Sequence, residues 1–230
     1  MMAAWGIGCL GWNLLAWPLA RILPKHRGRA LGEAGIQLGF RAMTGWMQAS
    51  GLFRFDTACL DQLRAEPALV IVANHPGLLD AVLVIARLRR TVCIAKPDLW
   101  RNPFLGGGIQ LAGYPRHDSP LALVRGGVDA LRRGRHLLVF PEGTRTPPGA
   151  PLQAFGGGFA LIARAAGVPV QTLLIETDNP YFAKGWPLFR LPPLPVVYRL
   201  RLGRRFAVTG DTHAFADALE RCIRAELRPR

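Results

Sequence analysis

Residues 68–80 read ALVIVANHPGLLD, and the change of character halfway along this stretch decides the fold. An apolar run of six residues, bounded by Pro67 on one side and by Asn74, His75, Pro76 and Gly77 on the other, reads as a strand buried on both faces. Working outward, TVCIA (91–95), HLLVF (136–140) and VPVQTLLI (168–175) repeat that pattern. Between them, residues 81–90, 121–133 and 154–166 have helical spacing. Strand, helix, strand, repeated in this way, predicts an α/β fold with a mostly parallel sheet flanked by helices. Near the C-terminus PVVYRLRLG and RRFAVTG predict an edge hairpin, and AFADALERCIRAEL (214–227) predicts a closing helix. The chain contains no internal repeat and no low-complexity linker.

The N-terminal part has a different texture. No charged residue occurs in the first 20 positions, and WGIGCLGWNLLAWPLA carries Trp5, Trp12 and Trp17. A run of this length approaches what a bilayer crossing requires, but Gly6, Gly8, Gly11, Asn13 and Pro18 weaken it as a spanning helix, while tryptophans favour the headgroup level. No basic residue precedes the run and no small-residue cleavage site follows it, which argues against a secretory signal. Arg21, Lys25, Arg27 and Arg29 follow at once and, by the positive-inside tendency, hold this side in the cytoplasm. Residues 28–50 form a second expected helix with a broad apolar surface including Leu31, Leu38, Met43 and Trp46. Two readings stand: a two-helix membrane-associating motif over 1–50, seated in one leaflet with a single span still possible, or helices buried in the core. The remainder, 51–230, is expected to be the catalytic domain, at the cytoplasmic face of the inner membrane as a peripheral or monotopic protein.

Composition agrees with a surface that meets something apolar and anionic. Half of the 230 residues are hydrophobic, and 29 Lys plus Arg against 15 Asp plus Glu leave a formal charge of +14. Mean hydropathy is +0.18, high for a freely soluble enzyme and low for a multi-span protein. Nucleic acid, anionic lipid and phosphorylated substrates all suit such a charge. Cys9, Cys59, Cys93 and Cys222 are far apart with no CxxC pair, so a zinc site is not expected.

In open α/β sheets, sites lie where strands end and helices begin. His75 directly follows the 68–73 run, and Pro76 suits a first helical position. Asp80, five residues on, is near enough for its carboxylate to bond one imidazole nitrogen and aim the other outward, where it can take a proton from a hydroxyl. The plainer alternative is that His75 caps a helix and Asp80 pairs with an arginine, and HxxxxD alone does not decide between them. FPEGTR (140–145) supplies company, again directly after a buried strand. Gly143 permits an unusual turn with exposed backbone N–H groups, Thr144 and Arg145 suit an anion, and Glu142 can accept hydrogen bonds from substrate hydroxyls.

Together these segments make the chain resemble the glycerophospholipid acyltransferase family, which contains the bacterial 1-acylglycerol-3-phosphate acyltransferases. HPGLLD, GYPR, FPEGTR and VPV stand in the family's order over about residues 65–180, and Lys96 in IAKPDLW matches a lysine that family members often carry. The resemblance implies a glycerol-phosphate acyltransferase-like fold and transfer of a fatty acyl chain from acyl-CoA or acyl-carrier protein to a hydroxyl of a lysophospholipid-like acceptor. It implies His75 as general base and Asp80 as its orienting partner. Arg116 and Arg145 then hold the acceptor's phosphate, with Lys96, Glu142, Gly143 and Thr144 completing the wall. No metal or dissociable cofactor is implied, the thioester being a substrate. The expected partners are the lipid acceptor, the acyl donor, an anionic membrane surface and, for one donor, acyl-carrier protein.

The chain departs from the family in two places. Thr172 and Leu173 stand where a second proline usually follows V-P-[IV], and FGGGF lacks the basic residue that often follows the phenylalanine matching Phe155. The tracts LWRNPFLGGGIQLAGYPR and YFAKGWPLFRLPPLPV resemble members serving polyene and other specialised lipid pathways, so a non-glycerol acceptor is the alternative. A serine hydrolase is disfavoured because Ser50 and Ser119 are the only serines and neither lies in a GxSxG elbow. A thiol nucleophile at Cys93 conflicts with its apolar strand. A basic nucleic-acid-binding protein without catalysis explains RLRR and RLRLGRR but not HxxxxD, FPEGTR or the N-terminus, and nucleic acid is not expected as a partner.

Overall fold

The apolar run at 68–73 becomes β2 (Val70–Ala73), with all four residues buried. It lies inside a six-stranded sheet whose order is β1 (Phe53–Asp56), β6 (Val196–Phe206), β5 (Val170–Glu176), β2, β4 (His136–Val139), β3 (Thr91–Cys93). The structure, a computed structural model, describes residues 2–116, 119–147, 152–187 and 190–227. Strands β5, β2, β4 and β3 run parallel, β6 runs antiparallel to β5, and β1 runs parallel to β6. The fold is therefore α/β with a mostly parallel sheet.

Helices α3 (Asp80–Arg87), α6 (Pro120–Arg132), α7 (Gly158–Ala166) and α8 (Thr212–Glu226) complete the expected alternation. Side chains alternate across the strands. Ile71, Leu138 and Leu173 pack with α3 and with Leu60 and Leu63 of a 3-10 turn (Ala58–Leu63). On the opposite face Val70, Leu137 and Leu174 pack with Leu131, Ile162 and Ile223 of α6, α7 and α8. Each fully buried leucine or isoleucine contributes roughly 1.5–3 kcal/mol relative to exposure.

Two long helices precede the sheet, α1 (Met2–Ile22) and α2 (Lys25–Ala49), and both pack on a short helix, α5 (Gly106–Ala112). Small residues allow the close approach: a side chain at Gly32 would collide with the Ala112 backbone, and Gly107 N donates to Asn13 Oδ1. Met43 and Met47 of α2 join the core with Leu83 and Tyr198. Outward, α1 exposes Ile7, Leu14, Leu15, Trp17 and Ile22, and α2 exposes Leu31, Leu38 and Trp46. Among the described residues no helix is long and apolar enough to cross a membrane, so the single span left open above is set aside. The buried-helix reading holds only for the inner face, where Cys9 and Ala16 lie.

Two local expectations change. The predicted C-terminal hairpin is one eleven-residue strand, and β1 covers its outer side. Gly203 does not turn the chain; it sits against Thr172 Oγ1, where the β5–β6 register shifts between Gln171 and Leu173. A glycine inside a strand allows such an irregularity because no Cβ obstructs the neighbouring strand. Pro76 does not open a helix either: residues 77–79 form a turn, and α3 begins at Asp80 after Leu79.

Candidate active site

Because β2, β3 and β4 are parallel and adjacent, their C-terminal ends lie along one sheet edge. That edge carries His75 after β2, Lys96 after β3 and residues 140–145 after β4. Arg116 joins them through a parallel bridge with Ala95, and Ala95 N donates to Pro115 O. The sequence-derived candidates thus share one rim.

Within that rim, His75 Nδ1 and Asp80 Oδ2 lie 2.7 Å apart. Gly77 N donates to the same carboxylate oxygen at 2.9 Å, so the intervening turn and the imidazole converge on one acceptor. Asp80 is fully buried and its Oδ1 has no partner among the described residues. Burial pushes the Asp80 carboxyl upward, opposed by its contacts with His75 and Gly77 and by nearby Arg145. The His75 ring stacks on Phe140 at 4.0 Å between centroids and 18° between planes. With Nδ1 given to Asp80, Nε2 is left without a hydrogen-bond partner among the described residues, and the side chain keeps 20% exposure. This arrangement holds one imidazole nitrogen ready to accept a proton.

The two motifs are also tied through the backbone. Glu142 Oε1 accepts from His75 N at 2.9 Å, while Glu142 Oε2 accepts from Thr146 Oγ1 at 2.6 Å and Gln153 N at 3.1 Å. Thr146 N donates to His75 O at 2.8 Å. Glu142 was expected to meet substrate hydroxyls; both of its oxygens are occupied by the chain itself, as a clasp between loops. Asn74 was not singled out from sequence. Its amide replaces two rungs of the ladder beyond Ala73, donating from Nδ2 to Ile175 O and accepting at Oδ1 from Ile175 N, both at 2.8 Å. An asparagine between an apolar strand and a histidine turn was the available signal.

Arg145 Nη1 donates to Phe182 O at 2.9 Å, and Leu78 N donates to the same carbonyl at 3.1 Å. The segment after β5 thereby fixes both the guanidinium and the HPGLLD turn. Phe182 has a φ of 69°, a left-handed backbone unusual for a bulky residue. Arg116 is exposed and its guanidinium lies 4.7 Å from the Trp100 ring centre. Lys96 is exposed at the N-cap of α4 (Pro97–Arg101). Gly143 has a φ of 67°, as the expected unusual turn requires, and Thr144 is half-buried beside it. Tyr198, fully buried, brings its hydroxyl to where a Cβ on Gly77 would stand. Burial and the Asp80 charge both raise its phenol.

Cys93 does not behave as a nucleophile: burial pushes its thiol up to about 12, so the thiolate is scarce near neutral pH. The family departures have structural uses. Thr172 Oγ1 donates to Arg204 O at 2.9 Å across the register shift, and Leu173 fills the core. Phe155 is buried and its N donates to Glu220 Oε2 at 3.1 Å.

A family model described as Acyltransferase matches residues 54–176, more than half of the chain. The 1-acyl-sn-glycerol-3-phosphate acyltransferase of Pseudomonas aeruginosa is 26% identical over 181 residues, covering 76% of this chain and 68% of the relative. The Helicobacter pylori protein of the same name is 32% identical over 114 residues, covering 47% and 48% respectively. The lyso-ornithine lipid O-acyltransferase of Pseudomonas aeruginosa is 30% identical over 182 residues, covering 74% of this chain and 65% of the relative. These alignments span between about half and two thirds of the relatives' own lengths. The crystal structure of the 1-acyl-sn-glycerophosphate acyltransferase from Thermotoga maritima superposes with a TM-score of 0.65 at 20% identity, over 96% of this chain and 89% of that one. At that identity the likeness shows the fold.

Proposed function

Since the chain belongs to the acyltransferase family, we propose that it moves a fatty acyl chain from a thioester, acyl-CoA or acyl-carrier protein, to the hydroxyl of a 1-acylglycerol-3-phosphate-type acceptor. The observation that carries this reading is the 2.7 Å contact between His75 Nδ1 and buried Asp80 Oδ2, with Nε2 left for the reacting proton. The acceptor oxygen attacks the thioester carbonyl carbon as His75 Nε2 takes its proton. The C–S bond then breaks, and the imidazolium returns the proton to the leaving thiolate. Asp80 holds the tautomer and stabilises the imidazolium. No covalent acyl-enzyme is needed. Arg145, Arg116 and Lys96 supply positive charge at the same rim for the acceptor's anionic group.

The same reading seats the protein on the cytoplasmic face of the membrane. Ile7 (73% exposed), Leu14 (66%), Ile22 (75%) and Leu38 (69%) have no partner face among the described residues, and a lipid surface suits such helices.

A second reading keeps the chemistry and changes the acceptor to a specialised, non-glycerol lysolipid. Likeness to lyso-ornithine lipid O-acyltransferases from two bacteria favours it, as does the missing basic residue after Phe155. The test is product analysis by mass spectrometry, with purified protein, an acyl-CoA or acyl-carrier protein donor, and lysophosphatidate and lyso-ornithine lipid offered together. Phosphatidate as the main product supports the first reading, acylated ornithine lipid the second, and donor hydrolysis without acyl transfer would remove both.

A further inference from the structure

A second concave site lies away from the catalytic rim. Arg41 of α2, Arg64 after the 3-10 turn, and Arg87, Arg89 and Arg90 at the end of α3 line a cavity of about 690 Å³, with Gln37 and Gly45 on its wall. Asp80 opens α3 and Arg87 closes it, so about 10 Å of helix separates the Arg87 guanidinium end of the cavity from the catalytic pair.

Its charge is not balanced internally. Asp61 accepts from Arg87 Nε at 2.7 Å and pairs with Arg64 Nη2 at 2.9 Å. Arg41, Arg89 and Arg90 have no carboxylate within ion-pair distance among the described residues. Arg90 also holds a left-handed backbone, φ 56°, which glycine adopts with less strain. Guanidinium groups gathered in a cleft match the oxygens of a phosphate.

The surroundings indicate where that phosphate comes from. On α2, Leu38, Arg41 and Gly45 follow at helical spacing, so exposed Leu38 lies one turn from the cavity wall, and exposed Leu31 and Trp46 continue its apolar row. A soluble phosphate compound has no use for that row, whereas a lipid presents an anionic headgroup and apolar chains side by side.

We propose that this cavity binds the phosphate headgroup of an anionic membrane glycerophospholipid, at a site separate from the acceptor site at His75. The proposal rests on the membrane seat described above. Occupancy orients the protein on the bilayer by fixing one point of α2 and α3 at headgroup level.

Sedimentation with vesicles tests it, using the full chain, phosphatidylcholine vesicles with and without a quarter phosphatidylglycerol, and the pair Arg41→Ala/Arg90→Ala beside Arg125→Ala/Arg221→Ala as a charge-matched control outside the cavity. The cavity pair is expected to lose on the order of tenfold or more in partition to phosphatidylglycerol vesicles, with phosphatidylcholine binding and the thermal midpoint unchanged, while the control pair loses clearly less. Arg41→Lys/Arg90→Lys is expected to retain most binding. Equal losses in the two alanine pairs would assign the effect to diffuse charge and overturn the cavity site while leaving the membrane seat intact. Absence of wild-type binding to either vesicle would overturn both. Saturable binding of inorganic phosphate that both arginines support, without any change in vesicle partition, would overturn the lipid as occupant and assign the cavity to a soluble phosphate compound.

Discussion

Glu142 Oε1 accepts the backbone N–H of His75 at 2.9 Å, so a carboxylate from the second motif holds the residue that carries the reacting nitrogen of the first. HxxxxD and FPEGTR therefore act as one structure: the strand-end turn aims the imidazole, and the loop after β4 fixes that turn.

Substitution Glu142→Gln is expected to lower kcat and to destabilise the protein by about 1–3 kcal/mol, because one amide oxygen cannot accept both from His75 N on one side and from Thr146 and Gln153 on the other. The acceptor KM should stay within about twofold of wild type, since the argued role is positioning. Steady-state kinetics with urea unfolding check this. A large rise in acceptor KM with kcat and stability unchanged would return Glu142 to substrate binding.

A methyl group at Gly77 would meet the Tyr198 hydroxyl, which the surrounding core holds in place. Gly77→Ala is expected to displace the turn between His75 and Asp80 and to reduce turnover at least about tenfold, with overpacking costing about 1–3 kcal/mol. Removing the hydroxyl in Gly77→Ala/Tyr198→Phe should restore part of both losses, and a double-mutant cycle measures the coupling. Additive effects would show that the two residues do not oppose each other.

Arg145 is anchored through Nη1 by the Phe182 carbonyl, which leaves the rest of its fork for an anion. Arg145→Ala is expected to raise the KM for a phosphorylated acceptor by roughly 10- to 100-fold, the range for a lost charged hydrogen bond, and the donor KM much less. Equal changes for the two substrates would contradict acceptor binding by Arg145.

His136 begins β4, is 2% exposed, and burial with nearby Arg90 pushes its imidazole down to about 4. A histidine depressed in the folded state contributes stability that is complete above the unfolded value of about 6.5 and is lost as pH falls toward about 4. The loss is about 1.4 kcal/mol per pH unit, about 3 kcal/mol in total. Urea midpoints between pH 7 and pH 4 should therefore fall less in His136→Leu than in wild type. Parallel slopes would refute the assignment.

The elements legible in sequence were those whose chemistry is one-sided. β2, β4 and β5 are apolar on both faces, and only a covered, mostly parallel sheet accommodates such strands. β1, with residues FRFD, alternates apolar and charged side chains as a half-buried strand does, but four residues are too short a run to read until β6 supplies their partner. α5 begins with three glycines, the poorest helix formers after proline, and owes its shape to α1 and α2 packed against it. In the site, the spacing allowed a His75–Asp80 pairing, and FPEGTR with the family resemblance singled it out. The Glu142 clasp, the Asn74 bridge and the Phe182 carbonyl shared by Leu78 and Arg145 did not, because each joins segments that only tertiary structure brings together.

The most direct measurement is the rate of acyl transfer from a thioester donor to lysophosphatidate by purified wild type and His75→Ala, with folding verified by circular dichroism. A general base contributes about 10²–10⁴-fold, so the variant is expected to fall at least about a hundredfold in kcat while retaining its thermal midpoint. A folded His75→Ala protein that transfers the acyl chain at the wild-type rate would contradict the account.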